Sequence, residues 1–317
     1  MRSVAHVGLV LGAGGLVGHA YHAGVLRALS DHGWDARSAA VVVGTSAGSS
    51  VGALLRAGLP ARDLAARVLG EPLTAEGARV VANAPRPATT LDFTIPSGGL
   101  PRPASPELLL RSSLRWWQAR PGHFAAGAMP AGRQPTTMIG ERIRAVYGDR
   151  RWPQEPLWLC ALRLRDGRRA VFGRDLDPTP HVATAVEASS AIPGYFVPVE
   201  IDGERYVDGG AHSPTNADLL AGLGFDTIVV VSPMSMSAGV PVVPSRAGRW
   251  WWHRQLAREV APARRVGVRV LVIEPTADDL DAMGQTVEAL DGTRMPAVTR
   301  QAQRSVASLL ADQPPLG

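Results

Sequence analysis

The 317-residue chain contains no lysine: all 33 of its basic side chains other than histidine are arginine. Twenty-eight acidic groups oppose them, so the formal net charge is only +5. That mild excess suits an anionic surface such as a phospholipid bilayer, but it is also what a solvated arginine-rich face produces. No motif for reading RNA or DNA is present, so nucleic acid is not an expected partner. Cysteine is nearly absent. Cys160 stands alone in the apolar run 157–162, which excludes a disulfide within the chain and points to a buried, inert thiol. A long uninterrupted apolar segment is also missing. The uncharged run 227–245 is broken by Pro233, Pro241 and Pro244, which fits a core strand followed by a loop rather than a membrane span. Residues 1–8 lead from Arg2 directly into a strand pattern, without the order of a secretory signal, and a soluble cytoplasmic protein is the expectation. There is no internal repeat. An apolar content of 45% against 19% charged residues marks a globular chain, long enough for one large α/β domain or two modest ones.

What is present centres on residues 41–49, Val-Val-Val-Gly-Thr-Ser-Ala-Gly-Ser. A β-branched run ends in G-x-S-x-G, and the small residues beyond it, with Val51, Ala53, Leu54 and Leu55, read as a helix. Strand, turn and helix are the context in which a serine can stand at the apex of a sharp turn with its hydroxyl exposed. Gly44 and Gly48, two positions either side of Ser46, supply the clearance that such a turn needs. The helix directs the unpaired N–H groups of its first turn toward the serine.

Ahead of this elbow, the strand pattern Val7–Leu11 runs into Gly12-Ala13-Gly14-Gly15-Leu16-Val17-Gly18 and then a helix. Such a loop serves either to cradle a phosphate or to offer successive N–H groups to an oxyanion. The spacing misses G-x-G-x-x-G by one residue. No acidic residue closes the next strand, and no Gly-Lys-Ser/Thr follows. With a nucleophile one βα unit away, the oxyanion reading is the better one.

Residues 71–135 carry ten prolines, and a stretch of this kind inside a compact chain is read as a cap inserted over the site. Short helices are expected within Pro106–Trp117, with Trp116 and Trp117 among the apolar residues. Farther on, Asp166-Gly167 and Asp202-Gly203 mark two hairpins, and helices are expected over 136–147, 180–190, 215–223, 279–290 and 295–311. Strands are expected over 227–231 and 268–273. The run Trp250-Trp251-Trp252 is read as packing under the preceding loop, with an interfacial aromatic patch as the alternative. Apolar strands alternating with helices indicate a mainly parallel sheet covered on both faces, in one domain.

The second hairpin strand ends in Asp208-Gly209-Gly210, and Ala188-Ser189-Ser190-Ala191-Ile192-Pro193 lies shortly before it. The glycine loop, the elbow and this block, in this order, resemble the patatin-like phospholipases, with the matching blocks spread over about two-thirds of the chain. The resemblance implies a three-layer α/β/α sandwich with a mainly parallel central sheet, and a Ser–Asp dyad that uses no histidine, metal or other cofactor. Carried over by motif, Ser46 is the nucleophile, Asp208 the general base, and Gly12, Gly14 and Gly15 form the oxyanion loop. The implied substrate is an acyl ester of a phospholipid or neutral lipid, with peripheral contact at a membrane surface. The oligomeric state is not indicated.

Two positions depart from the family pattern. Val17 stands where the loop usually carries a basic residue, and His212-Ser213-Pro214-Thr215-Asn216 replaces the Asn-x-Pro expected after Asp-Gly-Gly. Two other readings stay open. One is an α/β-hydrolase with a Ser–Asp–His triad, using His212 or His253. The other is a lipid-binding module on the same fold that performs no chemistry.

Overall fold

The computed structural model describes residues 6–85, 103–114, 120–285, 288–311 and 313–314. Short β-branched and leucine-rich segments form the strands: β1 (Val7–Leu11), β2 (Val41–Thr45), β3 (Leu157–Arg163), β4 (Arg169–Phe172), β5 (Val199–Ile201), β6 (Glu204–Asp208), β7 (Thr227–Val231) and β8 (Arg269–Ile273). They join in one sheet of order β5-β6-β3-β2-β1-β7-β8, with β4 also paired to β3. Along the sheet from β3 to β8 the pairs are parallel, and only the β3–β4, β3–β6 and β5–β6 pairs run antiparallel.

Parallel strands need covering on both faces, and the alternation of side chains along them delivers it. Leu9, Leu11, Val42, Leu157, Leu159, Val229 and Val231 pack to one side with α1 (Gly15–Asp31), α2 (Ala47–Arg56), α3 (Ala61–Leu69), α7 (Thr137–Tyr147), α8 (Val182–Ser189), α10 (Ala277–Met283) and α11 (Met295–Leu310). Val10, Val41, Val43, Cys160, Ile228 and Val230 pack to the other, with α9 (Ala247–Arg265) and a 3-10 turn at Ala217–Leu220. This is a three-layer α/β/α sandwich with a mostly parallel sheet. Cys160 is fully buried, and burial pushes its thiol up to about 12.

Several expected elements differ in extent. The helix expected over 215–223 is the short 3-10 turn, because Asn216 enters it in the left-handed region at φ 54° and its side chain is tied to neighbouring groups. The one expected over 279–290 is α10, which ends at Met283 against Gly284 at φ +74°. Helix α9 was not expected. Its signal is the spacing of Leu256, Val260 and Ala263, the apolar residues it buries against the sheet. Trp250 and Trp251 lie on it exposed, not packed under a loop, while Trp252 is half-buried.

Within the proline-rich stretch the described residues include α4 (Ala75–Val80), α5 (Pro106–Leu114) and α6 (Pro121–Ala128). Trp116 and Trp117 lie outside the described residues. Leu108 of α5 and Ala126 of α6 are buried in a separate cluster with Leu162, Leu164 and Val207, where β3 and β6 run side by side.

Candidate active site

Ser46 occupies the turn between β2 and α2 at φ 54°, ψ −119°, a conformation that costs a non-glycine residue on the order of 1–3 kcal/mol. The surrounding packing holds it there. A Cβ on Gly48 would lie 2.0 Å from the carbonyl oxygen of Leu11, and one on Gly44 would lie 2.8 Å from the carbonyl oxygen of Gly48. The two motif glycines therefore let α2 press directly onto β1 and β2. The Ser46 N–H donates to Ser189 Oγ at 3.0 Å, and Ser189 Oγ donates to the Cys160 carbonyl at 2.7 Å, which moors the turn to α8 and β3.

Asp208 reaches Ser46 through the sheet. Along β3, Cys160 is paired with Thr45 and the next residue, Ala161, with Asp208. The last residue of β2 and the last of β6 thus arrive at consecutive positions on one strand. The Asp208 carboxyl group stands beside the Ser46 side chain, which favours its charged form, and its Oδ1 accepts from the Gly210 N–H at 2.7 Å. Gly209 permits this approach, since a Cβ there would stand 2.3 Å from the Cys160 carbonyl oxygen. Both residues are 5% exposed. Burial raises the Asp208 carboxyl to about 6, against the Ser46 side chain and the Gly210 N–H, which favour its charged form.

The glycine loop divides into two parts. The Gly12 N–H donates to the Val231 carbonyl at 2.9 Å and the Ala13 N–H to the Pro214 carbonyl at 2.8 Å. Gly12 is therefore not a free oxyanion donor, contrary to the expectation for it, because the β1–β7 ladder continues through its amide. The N–H groups of Gly14 and Gly15 have no acceptor among the described residues, and both glycines line a cleft with Ser46 and Asp208. Gly15 sits at φ +63°, and a Cβ on it would lie 2.6 Å from the Ala289 carbonyl oxygen. His22 of α1, fully buried, has Nε2 2.7 Å from the Gly12 carbonyl oxygen. Burial lowers its pKa to about 3, so the ring is neutral and the contact is an Nε2–H donating to the carbonyl.

Neither triad histidine reaches the site. His212 Nδ1 is 3.1 Å from His123 Nε2, and His253 Nδ1 is 2.9 Å from Glu274 Oε2. Neither ring has a hydrogen bond to Ser46 or Asp208. Asn216, which stands where the sequence departs from Asn-x-Pro, is fully buried. It donates to Thr45 Oγ1 at 3.0 Å and to the Ser213 carbonyl at 2.7 Å, bracing the strand just before the serine. Ser189 lies in the block that carries the family resemblance, but its role as a mooring for Ser46, like those of His22 and Asn216, rests on contacts between residues remote in sequence.

Two clefts meet at Ser46. The first is walled by Leu16, Leu54, Leu64, Ile139, Ile143 and Phe196, with His19, Arg67 and Arg142 as its charged or titratable members. The second holds Gly14, Gly15 and Asp208 and is closed by Met129 just after α6, Trp252 of α9 and Met283 of α10. Together they form an apolar passage with the serine and the carboxylate at its junction.

Among solved structures, the chain is similar to VipD from Legionella pneumophila at 14% identity and a TM-score of 0.40, covering 96% of this chain and 67% of that one. It is similar to the type III effector ExoU at 18% identity and a TM-score of 0.39, again over 96% of this chain, and it spans about half of ExoU, 52%. The family model described as patatin-like phospholipase matches residues 9–221, an interval that contains the glycine loop, the serine elbow and the Asp-Gly-Gly turn. With more than half of its length under that match, the chain belongs to the patatin-like phospholipase family.

Proposed function

We propose that this protein is a serine acyl hydrolase that cleaves lipid ester bonds with a Ser46–Asp208 dyad. The observation that carries the reading is the juxtaposition of Ser46, strained at the elbow, with the buried Asp208 carboxyl group in one cleft. A serine hydroxyl is a weak nucleophile until a base takes its proton, and a carboxyl group raised to about 6 is a better base than an exposed one. Ser46 Oγ attacks the ester carbonyl as Asp208 accepts the proton, and the oxyanion that forms is held by the N–H groups of Gly14 and Gly15. Asp208 then returns the proton to the departing alcohol. Water, activated by the same carboxylate, hydrolyses the acyl-serine. Oxyanion donors of this kind are typically worth ~10²–10³ in rate each.

Ester-linked lipid is the substrate class that the family and the apolar walls of both clefts support. The stretch 71–135 acts as a cap, a role favoured by the contribution of Gly122, Ala125 and Met129 to the second cleft. No helix among the described residues is long and apolar enough to cross a membrane.

A fluorophosphonate ester probe, followed by peptide mapping, tests the nucleophile. Labelling is expected at Ser46 alone and is lost in Ser46→Ala; labelling that persists in that variant overturns the assignment.

A further inference from the structure

The first cleft contains an arrangement that ester hydrolysis alone does not require. Arg142 projects from α7 into its wall, half-buried between Met138, Ile139 and Ile143. It has no hydrogen bond or ion pair among the described residues, whereas Arg37, Arg144, Arg163 and Arg169 are each bound to a carboxylate. Arg67 of α3 lines the same cleft, and among the described residues no aspartate or glutamate does. His19 lies beside them, one turn along α1 from Gly15. Burial, reinforced by the charges of Arg142 and Arg67, lowers its pKa to about 4, so at neutral pH it is an uncharged hydrogen-bonding group. A guanidinium partly withdrawn from water without a counter-charge is costly unless a ligand supplies one. The glycine loop has no charge to offer, since Val17 occupies the position at which the resemblance led us to expect a basic side chain.

We propose that Arg142, with Arg67 and His19, forms a phosphate-binding subsite that seats the phosphodiester of a lipid substrate while its scissile ester lies at Ser46. The subsite rests on the reading of Ser46 as the nucleophile for its orientation, though not for its existence. It makes the first cleft the site of the glycerophosphate portion and leaves the second cleft, with its methionines and Trp252, to the acyl chain. A planar guanidinium suits two phosphate oxygens at once, and hydrogen bonds to charged groups are about twice as strong as neutral ones.

The test uses the full chain and two short-chain probes kept monomeric, dihexanoylphosphatidylglycerol and dihexanoylglycerol. In Arg142→Met the ratio of kcat/KM for the phospholipid over the diacylglycerol is expected to fall by roughly ten- to a hundredfold, carried mainly by KM, with Arg142→Lys recovering part of the loss. In parallel, binding of the phospholipid probe to Ser46→Ala is measured with and without Arg142→Met and is expected to weaken by a similar factor. An equal loss on both esters, or binding that does not depend on Arg142, overturns the subsite. Arg142-dependent competition by inorganic phosphate, without any selectivity between the two esters, assigns the site to a free anion and overturns the lipid assignment. Arg142-dependent binding without Ser46-dependent turnover retains the subsite and removes the nucleophile reading instead.

Discussion

Replacing Asp208 by asparagine keeps the shape of the side chain and removes its charge, and the structure gives that change two opposite consequences. Turnover is expected to disappear, because the Ser46 proton loses its acceptor. Stability is expected to rise above neutral pH. The Asp208 carboxyl is raised from a usual value of 3.8 to about 6 by burial. Below pH ~4 it is protonated in both the folded and the unfolded chain, and its contribution to stability is fully present. As pH rises through about 6 the folded protein must ionise a buried group, and that contribution is lost. A shift of about two units corresponds to roughly 3 kcal/mol at 1.36 kcal/mol per unit. For a chain of this length that is on the order of 4 °C in melting temperature. Thermal unfolding of the wild type and Asp208→Asn at pH 4.5, 6 and 8 measures the effect. The variant should gain on the wild type as pH increases, while wild-type kcat/KM on a soluble ester climbs through pH 6 to a plateau. A melting difference that is constant with pH, or that grows toward acid, would refute the claim that Asp208 is charged at the expense of the fold. A flat activity profile between pH 5 and 8 would refute its role as the base.

His212→Ala and His253→Ala are expected to lose about tenfold in kcat or less, since both rings are engaged away from Ser46; a loss of several orders of magnitude for either restores the triad reading. Gly48→Ala places a methyl group 2.0 Å from the Leu11 carbonyl oxygen and should cost more than about 3 kcal/mol, read as a fall in the urea midpoint; near-wild-type stability contradicts the close approach of α2 to β1. Limited proteolysis is expected to cut first within residues 71–135, with liposomes protecting that stretch, and identical digestion with and without lipid removes the membrane-contact role of the cap.

Features set by neighbours in the chain were legible without the fold. Gly44, Ser46 and Gly48 mark a strained turn because the clearance a sharp strand-to-helix reversal needs is local, and Asp166-Gly167 and Asp202-Gly203 mark hairpins for the same reason. Apolar runs at 7–11, 41–43 and 227–231 fixed the buried strands of a parallel sheet. Contacts between distant segments were decided only by the tertiary structure. Asp208 lies 162 positions from Ser46, and their meeting in one cleft depends on β3 pairing with β2 and β6 at adjacent residues. The sequence alone does not state that register. The same holds for Gly12, whose amide is consumed by a strand more than two hundred residues away, while those of Gly14 and Gly15 have no acceptor among the described residues. It holds also for Arg142, which in the sequence is one arginine among 33 and in the fold lines the cleft that leads to the serine with no carboxylate partner among the described residues. Local geometry follows from steric limits on a few consecutive residues; the charge and hydrogen-bonding state of a group follows from which remote surfaces the sheet and helices bring against it.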